Sequence, residues 1–256
     1  MTKPNQYGII NRTGQEYYNN FGSLMIISEY RNQKDIDIYF PEYDWTFYHA
    51  DIRNIQKGNI KCPYEPRNRN IGYIGEGPFL ADKTTILYRT WNNMITRCYD
   101  EKQRFNNLRY KDCYINEYFH CFQNYGHWFN NNYYEIPNEI MCLDKDILIK
   151  GNKEYGPDTC CFVPKTINNL FTLSTKTRNN NLPLGVRLEG NKYYARPPYQ
   201  GCSMKGFKGQ ETPEEAFYIY KQLKENHIKN TAEKYKEYIP DNLYQALLNW
   251  QIEITD

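Results

Sequence analysis

Two β-rich runs stand near the start of the chain, Leu24 to Tyr30 and Asp35 to Phe40, separated by Arg31-Asn32-Gln33-Lys34. In the second run Ile36, Ile38 and Phe40 interleave with Asp35, Asp37 and Tyr39. That alternation across a short polar connection predicts a hairpin with one buried face. The period then changes. Leu87, Trp91, Met94, Ile95 and Cys98 recur at helical spacing and predict a helix from about Thr84 to Tyr99. A second amphipathic stretch runs from Ile115 through Phe119 and Phe122 toward Trp128. Both aromatic stripes read as core.

Punctuation along the chain suggests boundaries. Pro and Gly recur between Pro63 and Pro78, and the Asn-rich link Thr177 to Asn181 precedes Leu182-Pro183-Leu184. The expected organisation is therefore a small N-terminal β-rich unit with a basic linker (1–78), a central module (79–181) and a C-terminal domain (182–256). Three short strand-like runs open the last domain. A helix follows them, announced by Thr212-Pro213-Glu214-Glu215, which supplies an N-cap hydroxyl, a proline at the first helical position and a glutamate at the third. Pro240-Asp241 opens a final short helix ending near Trp250. The mixture predicts an α+β fold.

Composition changes the picture little. At 256 residues the chain has room for two small domains without staples. Tyr is abundant at 26 residues, and Asn, Lys, Tyr and Ile rise together, the signature of an AT-rich coding sequence. A net charge of +2 gives no bulk attraction to a polyanion, so distribution matters more. Between Arg53 and Lys111 there are 12 basic residues against 5 acids, and a second basic stretch holds Arg187, Lys192, Arg196, Lys205 and Lys208 against Glu189 alone. The 8 cysteines include no C-x-x-C pair, which reads as reduced, packed thiols in a cytoplasmic protein. Met1 to Ile10 lacks the pattern of a signal peptide, and the longest aliphatic run, Leu24 to Ile27, is too short to span a bilayer. Neither feature points to a membrane.

The chemistry-bearing segment is Leu143 to Asn168, L-D-K-D-I-L-I-K-G-N-K-E-Y-G-P-D-T-C-C-F-V-P-K-T-I-N. An apolar strand ends in acids, Gly151-Asn152 turns the chain, Cys160 to Val163 forms a second strand, and Pro164 starts a helix carrying Asn168. With Trp91-x-x-Met94-x-x-Arg97-Cys98-Tyr99 and Tyr110-Lys111-Asp112 before it, this segment resembles the HNH family of phage and mobile-element nucleases. The resemblance covers roughly Tyr88 to Phe171. It implies a ββα module around Mg²⁺ or another divalent ion, with Asp144 and Asn168 as metal ligands. Lys145 stands where that family carries the water-activating histidine, and Thr159 where an asparagine orients it. An unperturbed histidine accepts a proton at neutral pH, whereas a lysine is almost wholly protonated there. Three readings stay open: Lys145 stabilises charge while Asp146 or a metal-bound water acts as base; cleavage is slow; or the fold serves binding alone.

Further on, Leu184-Gly185-Val186-Arg187, Lys192-Tyr193-Tyr194-Ala195-Arg196, Met204-Lys205-Gly206-Phe207 and Glu214-Glu215-Ala216-Phe217 with Tyr220 resemble the APETALA2-type DNA-binding domain. That resemblance implies a three-stranded sheet backed by a helix, with Arg187, Lys192, Tyr194, Arg196 and Lys205 facing duplex DNA; Lys208 and Arg97, from the two basic stretches, are further expected DNA contacts. Pro197-Pro198 and Cys202 make the turn before the third strand unusual. Two functions follow as expectations: a metal-dependent DNA endonuclease or nickase, or a catalytically inactive DNA-binding protein, such as a regulator or an anti-defence factor that binds a host protein complex.

Overall fold

The computed structural model describes residues 11–171, 182–199 and 201–256. The chain is α+β and divides into two compact units, residues 1–131 and 132–256. The expected boundaries near residues 78 and 181 fall inside these units, the second of them among residues outside the described set.

The N-terminal unit opens with an antiparallel meander, β1 (Glu16–Tyr18), β2 (Leu24–Asn32), β3 (Asp35–Phe40) and β4 (Trp45–Ala50), in the order β1-β2-β3-β4. The predicted hairpin is β2–β3. Its strands run further than the sequence suggested, leaving Gln33-Lys34 as the turn, with the Asn32 side chain accepting from the Lys34 amide at 2.9 Å. Met25 and Ile27 on β2, and Ile36, Ile38 and Phe40 on β3, are fully buried against Ile55 of the short helix α1 (Ile52–Gln56).

After the turn-rich stretch comes α2 (Ile86–Tyr99), capped by Thr85, whose hydroxyl accepts from the Tyr88 amide at 3.2 Å. Trp91, Met94, Ile95 and Cys98 form its buried face, as their spacing predicts. Next are α3 (Glu101–Asn106), the short β5 (Tyr114–Ile115) and α4 (Phe122–Asn132). The aromatic stripe of this region is core: Trp91 meets Phe122 at 5.3 Å between ring centroids, and Phe119 meets Trp128 at 5.0 Å. Edge-on geometry of this kind adds about 1 kcal/mol per pair beyond burial.

The C-terminal unit is built on β6 (Met141–Asp144), a loop containing the short β7 (Glu154–Tyr155), β8 (Cys161–Pro164) and α5 (Lys165–Phe171). Strands β6 and β8 pair antiparallel, with Leu143 opposite Phe162 and Asp144 opposite Cys161, and α5 packs on both. A second hairpin, β9 (Val186–Glu189) and β10 (Lys192–Ala195), lies against α6 (Pro213–Tyr235), and α7 (Asp241–Leu248) closes the unit. The α6 capping box is complete: the Thr212 hydroxyl accepts from the Glu215 amide at 3.3 Å and the Glu215 carboxylate from the Thr212 amide at 3.2 Å. One core joins Val163 and Ile167 to Val186, Ala195, Ala216, Ile228, Ala232, Leu243 and Leu247. Among the described residues no helix is long and apolar enough to cross a membrane.

Candidate functional site

Asp144 ends β6, and the backbone bends sharply after it. Its Oδ1 accepts from the amides of Asp146 at 2.9 Å and Ile147 at 2.8 Å, so the carboxyl folds the loop back on the strand. Burial, reinforced by the charge of neighbouring Asp146, pushes the Asp144 carboxyl up to about 6. Asn168 sits on α5, the helix packed against this strand pair. Strand, loop, strand and helix thus follow in the order expected of a ββα module, with the acid at a strand end and the amide on the helix.

Lys145 does not face solvent as an exposed strand end would. Its side chain is 7% exposed, and Nζ donates to Asp146 Oδ2 and to the Asn152 carbonyl, each at 3.0 Å, while lying 5.9 Å from the centre of the Tyr155 ring. Asn152 answers with its own amide, donating to the carbonyls of Lys145 and Glu154. Thr159 is equally committed to the loop: its hydroxyl donates to the Glu154 carbonyl at 2.9 Å and accepts from the Gly156 amide at 3.0 Å. Lys145 and Thr159 therefore hold the two ends of one loop. Asp146 is the exposed member of the group, its side chain 47% exposed. Behind them, burial drives the Cys160 thiol up to about 12, far from a reactive thiolate.

The basic residues divide. Strand alternation puts Arg187, Glu189, Lys192 and Tyr194 on the outer face of the β9–β10 hairpin, while Val186 and Ala195 are buried against α6. Tyr194 stands opposite Arg187, whose guanidinium is 5.6 Å from the ring centre. Arg187 pairs with Glu189 and Lys192 with Glu211. Arg196 continues β10, its amide bonded to the Gly185 carbonyl at 2.6 Å.

The third strand differs from expectation. The residue that pairs with β10 is Gln210, which exchanges backbone bonds of 3.0 and 2.7 Å with Tyr193, not the Met204–Phe207 run. Residues 204–207 form a turn instead, with Gly206 at a φ of 88° and the Phe207 amide bonded to the Met204 carbonyl. Lys205 accordingly lies in an exposed turn, and Lys208 is exposed just before the pairing residue. Arg97 belongs to the N-terminal unit, in the last turn of α2, with its guanidinium 5.6 Å from the Tyr110 ring centre.

Sequence reading missed a polar cluster on the meander. Ligand atoms of Asp35, Asp37 and His49 lie within 4.8 Å of one another, a grouping able to hold a cation. Arg31 already fills that role: its guanidinium pairs with Glu29, Asp35 and Asp37, and His49 Nδ1 lies 2.7 Å from Asp35. Arg31, followed by His49, holds the Asp35 carboxyl down to about 2. A metal ion would have to displace an arginine paired with three carboxylates. The sign of the linkage is fixed by this depression: Asp35 contributes stability above its ordinary value of 3.8 that disappears as the pH falls to about 2. In thermal melts Asp35→Asn should therefore lower Tm at pH 7, with the gap to wild type closing between about pH 4 and pH 2. A gap that stays constant across that interval would remove the Arg31 cluster as a source of stability.

Comparison with protein-family models, with curated proteins and with solved structures finds no match to this chain.

Proposed function

We propose that the protein binds double-stranded DNA through the hairpin of its C-terminal unit, and that the neighbouring ββα element is a scaffold without hydrolytic turnover. The observation that carries the second half is the state of Lys145. A general base needs a lone pair directed at the water it activates, but the Lys145 ammonium donates to a carboxylate and to a backbone carbonyl, both of which are acceptors. Its role is to close the loop, which removes the residue at the position of the base and leaves turnover only to Asp146 or a metal-bound water under the second reading below. Support for the first half is the outer face of the β9–β10 hairpin, where Arg187 and Lys192 flank an aromatic ring. Their partners Glu189 and Glu211 have side chains more than half exposed, and exposed ion pairs of this kind are worth under about 1 kcal/mol, so phosphate can replace them.

Metal-dependent cleavage is the second reading, favoured by Asp144 at the strand end and Asn168 on α5. Their oxygens are hard donors of the type that suits Mg²⁺, and a bound divalent ion would neutralise charge on a phosphodiester. Asp144, however, already spends one carboxylate oxygen on two backbone amides. Incubation of supercoiled plasmid with Mg²⁺ or Mn²⁺ separates the readings. The scaffold reading expects no nicking by wild type, by Lys145→His, or by Lys145→His combined with Thr159→Asn. Wild-type nicking that Asp144→Ala abolishes would replace it with the nuclease reading.

A further inference from the structure

Glu65, in the turn-rich stretch of the N-terminal unit, is a carboxylate almost wholly removed from water, 4% exposed. Its Oε1 accepts from the Asn19 amide at 2.9 Å and from the Ser23 hydroxyl, both themselves buried. Its Oε2 is shielded from solvent and has no hydrogen-bond partner among the described residues. Arg67 Nε stands 3.7 Å from that oxygen, too far for a hydrogen bond, while the guanidinium donates to the Cys62 carbonyl at 3.2 Å and lies 5.2 Å from the centre of the Phe21 ring. A buried carboxylate oxygen without a donor is unfavourable, so a donor supplied there by a ligand is stabilising.

Glu65 also lines two adjoining cavities, of about 300 and 360 Å³, which share Phe21, Glu65 and Arg67. The first continues past Asn68 to Tyr73 and Tyr88. Phe21 is 53% exposed, a large apolar ring held at the mouth. The site therefore offers one acceptor, one adjacent cationic donor and flat aromatic surface, in a space of small-ligand size.

From these features we infer that the cleft binds a nucleobase by its lactam edge, a ring N–H beside a carbonyl, as in guanine, uracil or thymine. Binding moves the Arg67 guanidinium, 3.7 Å from Oε2 and over the Phe21 ring, off both: the base N–H then donates to Glu65 Oε2, its carbonyl accepts from the displaced guanidinium, and its face stacks on Phe21. Unstacked bases are recognised in this way, by aromatic or arginine planes and by hydrogen bonds to their pairing edges. Because Asn19 and Ser23 saturate Oε1, a single ring N–H suffices and the amino group of guanine adds little. Adenine and cytosine present a ring acceptor at the same point, so they set a lone pair against the carboxylate. This site lies in the N-terminal unit and stands independently of the DNA-binding reading of the hairpin.

Calorimetric titration of the full chain with the four nucleoside monophosphates tests the inference. Guanosine and uridine monophosphate are expected to bind at least about tenfold more tightly than the adenosine and cytidine compounds, since a site built around a hydrogen bond rejects ligands that lack it. Glu65→Gln should abolish that preference: Asn19 and Ser23 hold the amide oxygen in place of Oε1, which sets the amide NH₂ at the Oε2 position as a donor opposed to the ring N–H, and only cytosine then offers a ring acceptor beside a carbonyl for Arg67. Phe21→Ala, at an exposed position, should weaken every base alike by about tenfold. Titration with short oligothymidylate and oligoadenylate distinguishes the two sources of the base. Thymidylate binding much tighter than the mononucleotides assigns a base within a strand, and equal binding assigns a free nucleotide. Absence of binding by all four monophosphates and both oligonucleotides, equal affinity for all bases, or an unchanged preference in Glu65→Gln would overturn the proposal.

Discussion

Gly185→Ala is expected to destabilise the C-terminal unit by about 3 kcal/mol. Gly185 has a φ of 74°, a left-handed conformation that costs a residue with a side chain about 1–2 kcal/mol. A Cβ built there would lie 2.2 Å from ring carbons of Tyr220, far inside van der Waals contact. Tyr220 is 6% exposed in the core between the hairpin and α6, and forcing it aside adds about 1–3 kcal/mol of overpacking strain. One cost lies in the backbone conformation and the other in packing against Tyr220, so the two add. Urea unfolding followed by far-ultraviolet circular dichroism measures the loss as a lower midpoint at unchanged slope. A midpoint within error of wild type would mean that the hairpin does not close on α6 as described.

That glycine also shows what the sequence made legible. Leu184-Gly185-Val186 reads as the first strand through the resemblance to the APETALA2-type domain, and the Thr212 capping box reads as a helix start because its bonds form within four residues. The β2–β3 alternation and the Trp91 stripe are local for the same reason: period alone decides which face is buried. The strand, loop, strand and helix order around Asp144 was likewise readable from turn and proline positions. Most of what failed depended on partners distant in sequence. The resemblance to the APETALA2-type domain puts the third strand at Met204–Phe207, whereas Gly206 turns the backbone there and Gln210 pairs with Tyr193. Lys145 reads from the resemblance as standing at the position of a base, and its closure of the loop onto the Asn152 carbonyl, only seven residues on, has no pattern in the sequence to announce it. Glu65 passed unnoticed since its donors, Asn19 and Ser23, lie 46 and 42 residues away. The Arg31 cluster escaped for the same reason, with His49 brought to Asp35 only by the β3–β4 register.

Removing the positive charges of the hairpin should have the largest effect on binding. In the variant Arg187→Ala, Lys192→Ala, Arg196→Ala, up to three phosphate contacts are lost without disturbing the buried face formed by Val186 and Ala195. Each contact to duplex DNA releases about 0.9 counterion, so the slope of log K against log salt should become shallower by about two to three. At physiological salt the affinity should fall by about a hundredfold or more, at about 1 kcal/mol or more per contact. Arg97→Ala, in the other unit, serves as a comparison of one charge. The most direct test is fluorescence anisotropy of a labelled duplex titrated with wild type and with the triple variant at several salt concentrations. The account predicts salt-dependent binding by wild type and a weaker, shallower dependence in the variant. Failure of the wild type to bind duplex DNA at low salt, or identical slopes for the two proteins, would contradict it.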